Sequence, residues 1–280
     1  MQTIRTISKM QKVSCQLAGK GKTIVLVPTM GYLHEGHQAL IKRAKKEADV
    51  VIVTIFVNPA QFTPNEDFKK YPRDEKGDLK KIKAAGGDIV FIPKADEIYP
   101  KDFLTYVTVE NLTKTLEGAS RPAHFKGVTT IVAKLFNICR PDVAIFGMKD
   151  FQQAIVLKQM TKDLGYPIKY IIAPTVRESD GLAMSSRNKY FSAGQRVEAR
   201  CLYYALKTAQ QMVMSGKNNA SKITNEMRAV IKSICPTAAI NYIAFTDFNT
   251  LVPLKMAEKG SVCSLAVVVH GVRLIDNVKF

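Results

Sequence analysis

TIVLVPTMGYLHEGH, residues 23–37, decides how the chain is read. Residues 23–27 form a β-branched and leucine run of the kind that fills a buried parallel strand. Pro28 and Gly31 end it with turn chemistry. An amphipathic helix over 38–48 follows, with Leu40, Ile41 and Ala44 on its inner face. A buried strand, a glycine turn and a helix N-terminus, in that order, present backbone N–H groups and the positive end of a helix dipole to a phosphate. His34 and His37 share one face of the first helical turn, because residues three apart do so. Zinc chelation by the pair is disfavoured: the chain has four histidines, and no Cys or Glu partner stands at a zinc spacing. Two surface histidines at a helix cap are the plainer alternative, and the ordered strand, turn and helix favour phosphate over it.

The same alternation continues outward. Residues 1–22 read as a short strand and a helix. VVIVTIFV (50–57) is a second buried strand, ending in Asn58-Pro59-Ala60-Gln61-Phe62. Helices are expected over 74–85, 128–139 and 154–164, and strands over 88–92, 142–146 and 168–173. Residues 93–127 are irregular, broken by Pro93, Pro100 and Pro122. Strands alternating with helices predict an α/β fold with a doubly wound, mostly parallel, Rossmann-like sheet over residues 1–175. From about Val176 the pattern changes to helices at 193–214 and 221–234, then strand-like runs at 240–245 and 262–269. That is a smaller α+β domain, 176–280, with a polar loop, MSSRN (184–188), placed like a lid near the junction.

In open α/β sheets ligands bind beyond the carboxyl ends of the strands. Residues 30–37, 58–62 and 147–153 fall there, and residues 184–188 are read with them. These loops carry two histidines, a lysine, an arginine, two serines and two glutamines. That inventory suits a polyanion with neutral hydrogen-bonding groups beside it. Gly21-Lys22-Thr23 imitates the end of a phosphate-binding P-loop but fails, since Gln16 stands where the first glycine belongs and the triplet precedes its strand.

Composition sets bounds. Hydrophobic residues make up 46% and charged residues 23%, ordinary for a globular protein. No apolar run is long enough to span a membrane, and the N-terminus lacks a continuous apolar signal-peptide core. Five scattered cysteines read as reduced thiols, so the expected location is cytoplasmic. Lys plus Arg minus Asp plus Glu is 41 − 24 = +17, but the lysines are dispersed along solvated helix faces, which argues against a dedicated nucleic-acid or membrane partner.

Six segments in order, PTMGYLHEGH, FVNPAQF, YPRDEKGDL, RPAHFKGV, GMKDFQQ and MSSRN, resemble the pantothenate synthetase (pantoate–β-alanine ligase) family. This family lies within the nucleotidylyltransferase superfamily that includes class I aminoacyl-tRNA synthetases. The resemblance covers essentially the whole chain and departs from the family pattern at Ala123, where glycine is usual, and Met148, where glutamate is usual. It implies an ATP-dependent ligase that joins pantoate to β-alanine through a pantoyl-adenylate, releasing AMP and pyrophosphate, with Mg2+ and a homodimer. By the same resemblance, His34, His37, Lys149 and Arg187 are catalytic. ATP would be bound by Met30, Gly31, Tyr32, Leu33, His34, Glu35, Gly36 and His37, by Gly147, Met148, Lys149 and Asp150, and by Val176, Met184, Ser185, Ser186 and Arg187. Gln61 and Gln153 would hold pantoate or β-alanine, and Asp78 would lie near the metal.

Overall fold

Alternation within the strands dictates a sheet buried on both faces. In β2 (Ile24–Thr29) and β3 (Val50–Ile55), nearly every side chain is buried, since successive residues point to opposite faces. The computed structural model describes residues 1–63 and 68–280. Its first sheet has six parallel strands: β1 (Gln2–Ile4), β2, β3, β4 (Ile89–Phe91), β5 (Val143–Gly147) and β6 (Lys169–Ala173), in the order β1-β4-β3-β2-β5-β6. The helices are α1 (Ile7–Gly19), α2 (Glu35–Ala44), α3 (Glu75–Ala85), the short α4 (Ala95–Ile98) and α5 (Glu117–Ser120), α6 (His124–Cys139) and α7 (Phe151–Asp163).

One face of the sheet offers Ile24, Leu26, Ile52, Phe91 and Ala144, which pack with Met10 of α1, Val128 and Leu135 of α6, and Leu157 and Met160 of α7. The other offers Val25, Val27, Val51, Val53 and Ile145, packed against Ile41 of α2 and Ile82 of α3. Each fully buried aliphatic side chain contributes roughly 1.5–3 kcal/mol. Winding reverses between β2 and β5, the point where a ligand crevice forms in such sheets. The expected doubly wound, parallel sheet is present.

A second sheet holds β7 (Ala239–Asp247), β8 (Ser261–Val269) and β9 (Val272–Lys279), antiparallel and in that order. It packs on α9 (Cys201–Met214) and α10 (Ala220–Ile234) through Leu202, Leu206, Ile223, Met227, Leu265 and Val267. The helix expected over 193–214 is two, α8 (Ala193–Ala199) and α9, because the flattened ψ of −8° at Arg200 interrupts the ladder. Strand β9 was not expected at all; its buried Asp276 and Asn277 break the apolar alternation that marks a strand.

The chain divides into two units, one of residues 1–148 and 156–174, the other of residues 149–155 and 175–280. Residues 149–155, read from sequence as part of the first domain, group with the second. Among the described residues no helix is long and apolar enough to cross a membrane.

Candidate active site

The turn after β2 is built by side chains that fix its backbone. Thr29 Oγ1 donates to Thr54 O at 2.7 Å and accepts Gly31 N–H at 3.2 Å. Gly31 sits at φ +81°, a conformation that favours glycine, and a Cβ there would lie tightly against its neighbours, 3.0 Å from Ile55 Cγ2 and 3.1 Å from Asp78 Oδ2. The next two N–H groups, of Tyr32 and Leu33, donate to the two oxygens of Asp78, each at 2.7 Å. Lys81 Nζ closes the turn by donating to Leu33 O at 2.7 Å.

Asp78 is therefore the clasp of this turn. It lies on α3, is 1% exposed and has a backbone donor on each oxygen. A buried carboxylate engaged on both oxygens is arranged to hold the chain. Burial pushes its pKa up, against the lowering by the Leu33 and Tyr32 hydrogen bonds.

Helix α2 begins three residues earlier than expected. His34 is its N-cap, and residues 35–37 form its first turn. First-turn N–H groups have no carbonyl partner within a helix, so they point outward. His34 N–H donates to His37 Nδ1 at 3.3 Å, and the two imidazole rings lie 4.1 Å apart. A neutral His37 that accepts at Nδ1 carries its proton on Nε2, which makes Nε2 a donor.

Gln61 follows β3 in a 3-10 turn, Pro59–Gln61, and is 9% exposed. Its Oε1 accepts from Asn58 Nδ2 at 3.0 Å, and its Nε2 donates to Met30 Sδ at 3.2 Å. Asn58 in turn accepts the Tyr99 hydroxyl proton at 2.8 Å and donates to Gly127 O at 3.1 Å. Burial pushes the Tyr99 phenol well up, so it remains a donor. His124 Nδ1 lies 2.8 Å from Gln61 O, and Arg121 Nη1 lies 3.1 Å from His124 Nε2. Since arginine only donates, His124 accepts at Nε2 and donates from Nδ1 to the Gln61 carbonyl. A Cβ on Gly127 would come within 2.2 Å of Ala60 O, so α6 and the Gln61 turn touch backbone to backbone. Asn58, Tyr99, Arg121 and His124 were given no role from sequence; the polar residues of RPAHFKGV ahead of an apolar helix were the available signal. Ala123, the departure from the family pattern, stands at φ +68° as N-cap of α6, where glycine fits better.

The first unit thus brings together Met30–Leu33, His34, Glu35, Gly36, His37, Gln61 and Asp78. Gly147 and Met148 leave β5, which pairs with β2 in the same sheet. The remaining predicted residues lie in the second unit. Lys149 Nζ is 3.4 Å from Asp150 Oδ1, and the Lys149 carbonyl accepts from Asn277 Nδ2 at 2.9 Å. Gln153 follows in the first turn of α7, after Phe151, whose ring packs on Phe248. Val176 O accepts Met184 N–H at 3.0 Å, closing a small antiparallel loop with an Arg177–Ala183 bridge. Arg177 holds that loop by a bidentate pair with buried Asp276, at 2.6 and 3.0 Å. Ser185 Oγ then accepts Arg187 N–H at 3.2 Å, capping the turn Ser186–Tyr190. Buried Asn188 anchors the turn by donating to Glu178 Oε1 at 2.7 Å and Ala183 O at 3.1 Å.

Comparison with known proteins accounts for this architecture. The family model "Pantoate-beta-alanine ligase" matches residues 2–279. The pantothenate synthetase of Moorella thermoacetica is 49% identical over 278 residues, covering 99% of this chain and 98% of its own length. That of Geobacter sulfurreducens is 47% identical over 277 residues, covering 99% and 98%. Among solved structures, the pantothenate synthetase of Thermus thermophilus superimposes with a TM-score of 0.94 at 40% identity, over 100% of this chain and 99% of that one. The Francisella tularensis pantoate–β-alanine ligase, described as complexed with β,γ ATP and β-alanine, gives 0.83 at 35% identity, over 100% and 97%. The chain belongs to the pantoate–β-alanine ligase family.

Proposed function

We propose a division of labour for the residues of this ligase, which condenses pantoate with β-alanine to pantothenate through a pantoyl-adenylate, consuming ATP. The observation that carries it is the clasped turn: Asp78 fixes Tyr32 and Leu33, and the His34–His37 contact leaves His37 Nε2 as a donor. The nucleophile of the first step is the pantoate carboxylate, already ionised at neutral pH, so no general base is needed. In-line attack on the α-phosphate calls instead for positioning and for relief of charge on the departing pyrophosphate. The N-terminus of α2, with His34 and His37, supplies fixed donors from the first unit. Lys149, Ser185, Ser186 and Arg187 supply a second set, with Gly147, Met148, Asp150, Val176 and Met184 shaping the nucleotide's surroundings.

Gln61 and Gln153 hold pantoate. An amide binds hydroxyls and carboxylate without locking the attacking oxygen into an ion pair. In the second step the β-alanine amine attacks the acyl-adenylate; its nitrogen–carbon bond forms as the carbon–oxygen bond to AMP breaks, and His37 handles the proton. Mg2+ carried with the nucleotide would lower the negative charge of the phosphates. Cytoplasmic location and a homodimer complete the reading, supported by free cysteines throughout and by the prevalence of two-fold oligomers.

Isotope exchange between pyrophosphate and ATP tests the two-step scheme. Pantoate with magnesium, and no β-alanine, is expected to support exchange. Absence of exchange by active protein refutes the adenylate route.

A further inference from the structure

Apart from the loops that carry the ligase chemistry, the second unit gathers a thiol, an imidazole and a carboxylate. Glu198 lies in the last turn of α8, Cys235 caps the C-terminus of α10, and His270 opens the turn between β8 and β9. One donor atom from each lies within 4.8 Å of the others. His270 Nε2 is 3.0 Å from Glu198 Oε2. Hydrogen bonds from Cys235 and from His270 hold the Glu198 carboxyl below its ordinary value, and Cys235 Sγ also lies 3.6 Å from Thr237 Oγ1. Cys235 is buried, while the side chains of Glu198 and His270 are both partly exposed, so the trio has a dry side and a side open to water. His270 takes φ +47° at a hairpin position where Asn or Gly is the usual choice.

We propose that Glu198, Cys235 and His270 form a binding site for a zinc-class divalent cation, with water in the fourth position. The donor set decides the class: thiolate and imidazole suit Zn2+, whereas Mg2+ and Ca2+ take oxygen. Tetrahedral zinc, with ligands at about 2.0–2.3 Å, sets neighbouring donors about 3.3–3.6 Å apart. The His270–Glu198 contact must open slightly and the widest pair close by about an ångström, a movement the partly exposed imidazole can make by rotating. On binding, the Cys235 S–H bond breaks, its proton leaves to solvent, and the sulfur electron pair forms the bond to the metal. Glu198 exchanges two hydrogen bonds for a metal bond. The ion then cross-links the end of α10, the end of α8 and the β8–β9 turn within one unit.

Cobalt(II) is the probe, added to the full-length protein after chelator treatment and reducing agent. A thiolate-to-cobalt absorption saturating at one ion per chain is expected, displaced by Zn2+, with release of one proton. Cys139, Cys201 and Cys263 are buried with their thiols pushed up in pKa, so Cys15, the exposed cysteine, is the control. Cys235→Ser should abolish the absorption and Cys15→Ser should keep it. His270→Asn, a residue that tolerates the same backbone, should weaken cobalt binding by at least about 100-fold, beyond what loss of a supporting partner costs. Circular dichroism establishes that each variant is folded. Absence of the absorption in the parent protein, or its survival in folded Cys235→Ser, overturns the site and leaves a hydrogen-bonded trio.

Discussion

Replacing Asp78 with alanine asks whether one carboxylate builds the turn that carries His34 and His37. Its oxygens take two backbone N–H groups, each at 2.7 Å, where the side chain is 1% exposed. Truncation leaves both donors without that acceptor, at about 1–3 kcal/mol each. Removing a buried charge returns part of this, because burial already holds the Asp78 pKa up. The net loss is about 3 kcal/mol, or roughly 6–12 °C in the melting of a unit this size. Asn retains one acceptor oxygen but turns an N–H group toward the second amide, so Asp78→Asn falls between parent and Ala. The assays are calorimetry and pantoate-dependent pyrophosphate exchange at saturating magnesium. Exchange should fall roughly 10–100-fold, the cost of displacing a catalytic group by about an ångström. If Asp78→Ala melts within about 1 °C of the parent while its magnesium requirement rises, the clasp is wrong and the carboxylate serves the metal.

Three further substitutions probe neighbouring features. His37→Ala should slow adenylation by about 100-fold or more, as loss of a fixed donor does; a change under about threefold in single-turnover rate removes His37 from the chemistry. Ala123→Gly relieves the left-handed backbone at the start of α6 and should stabilise by about 0.5–1 kcal/mol, read as a higher denaturation midpoint; an unchanged or lower midpoint contradicts the strain. Gly127→Ala drives a methyl into the Ala60 carbonyl, and the KM for pantoate should rise at least about tenfold with that for ATP nearly constant; equal changes in both would show that the Pro59–Gln61 turn does not set pantoate affinity.

The sheet was legible because its strands speak a simple code. Ile24 to Val27 and Val51 to Val53 are apolar on both faces, which only a covered parallel sheet requires. The His34–His37 turn was legible because its residues are contiguous. Asp78 was not: its meaning lies in amides forty-odd positions earlier, and in sequence it is one more acid on a charged helix. His124 and Arg121 stand over sixty and about sixty residues from the Gln61 carbonyl they support, a pairing no local pattern encodes. Strand β9 escaped because Asp276 is buried against Arg177, inverting the usual rule that charge marks the solvent face. The trio of Glu198, Cys235 and His270 is equally silent, each donor on a different element.

Strand β1 has a consequence for how the chain is made. Gln2–Ile4 finds its ladder partner in Ile89–Phe91, so during synthesis these residues wait for about 90 more, a delay of roughly 5–20 s at ordinary translation speed. Throughout that interval Ile4 and Met10, which end almost wholly buried, have no sheet to cover them. A folding helper that grips nascent apolar segments would find an opportunity at β1, before its seam with β4 at the edge of the sheet can close.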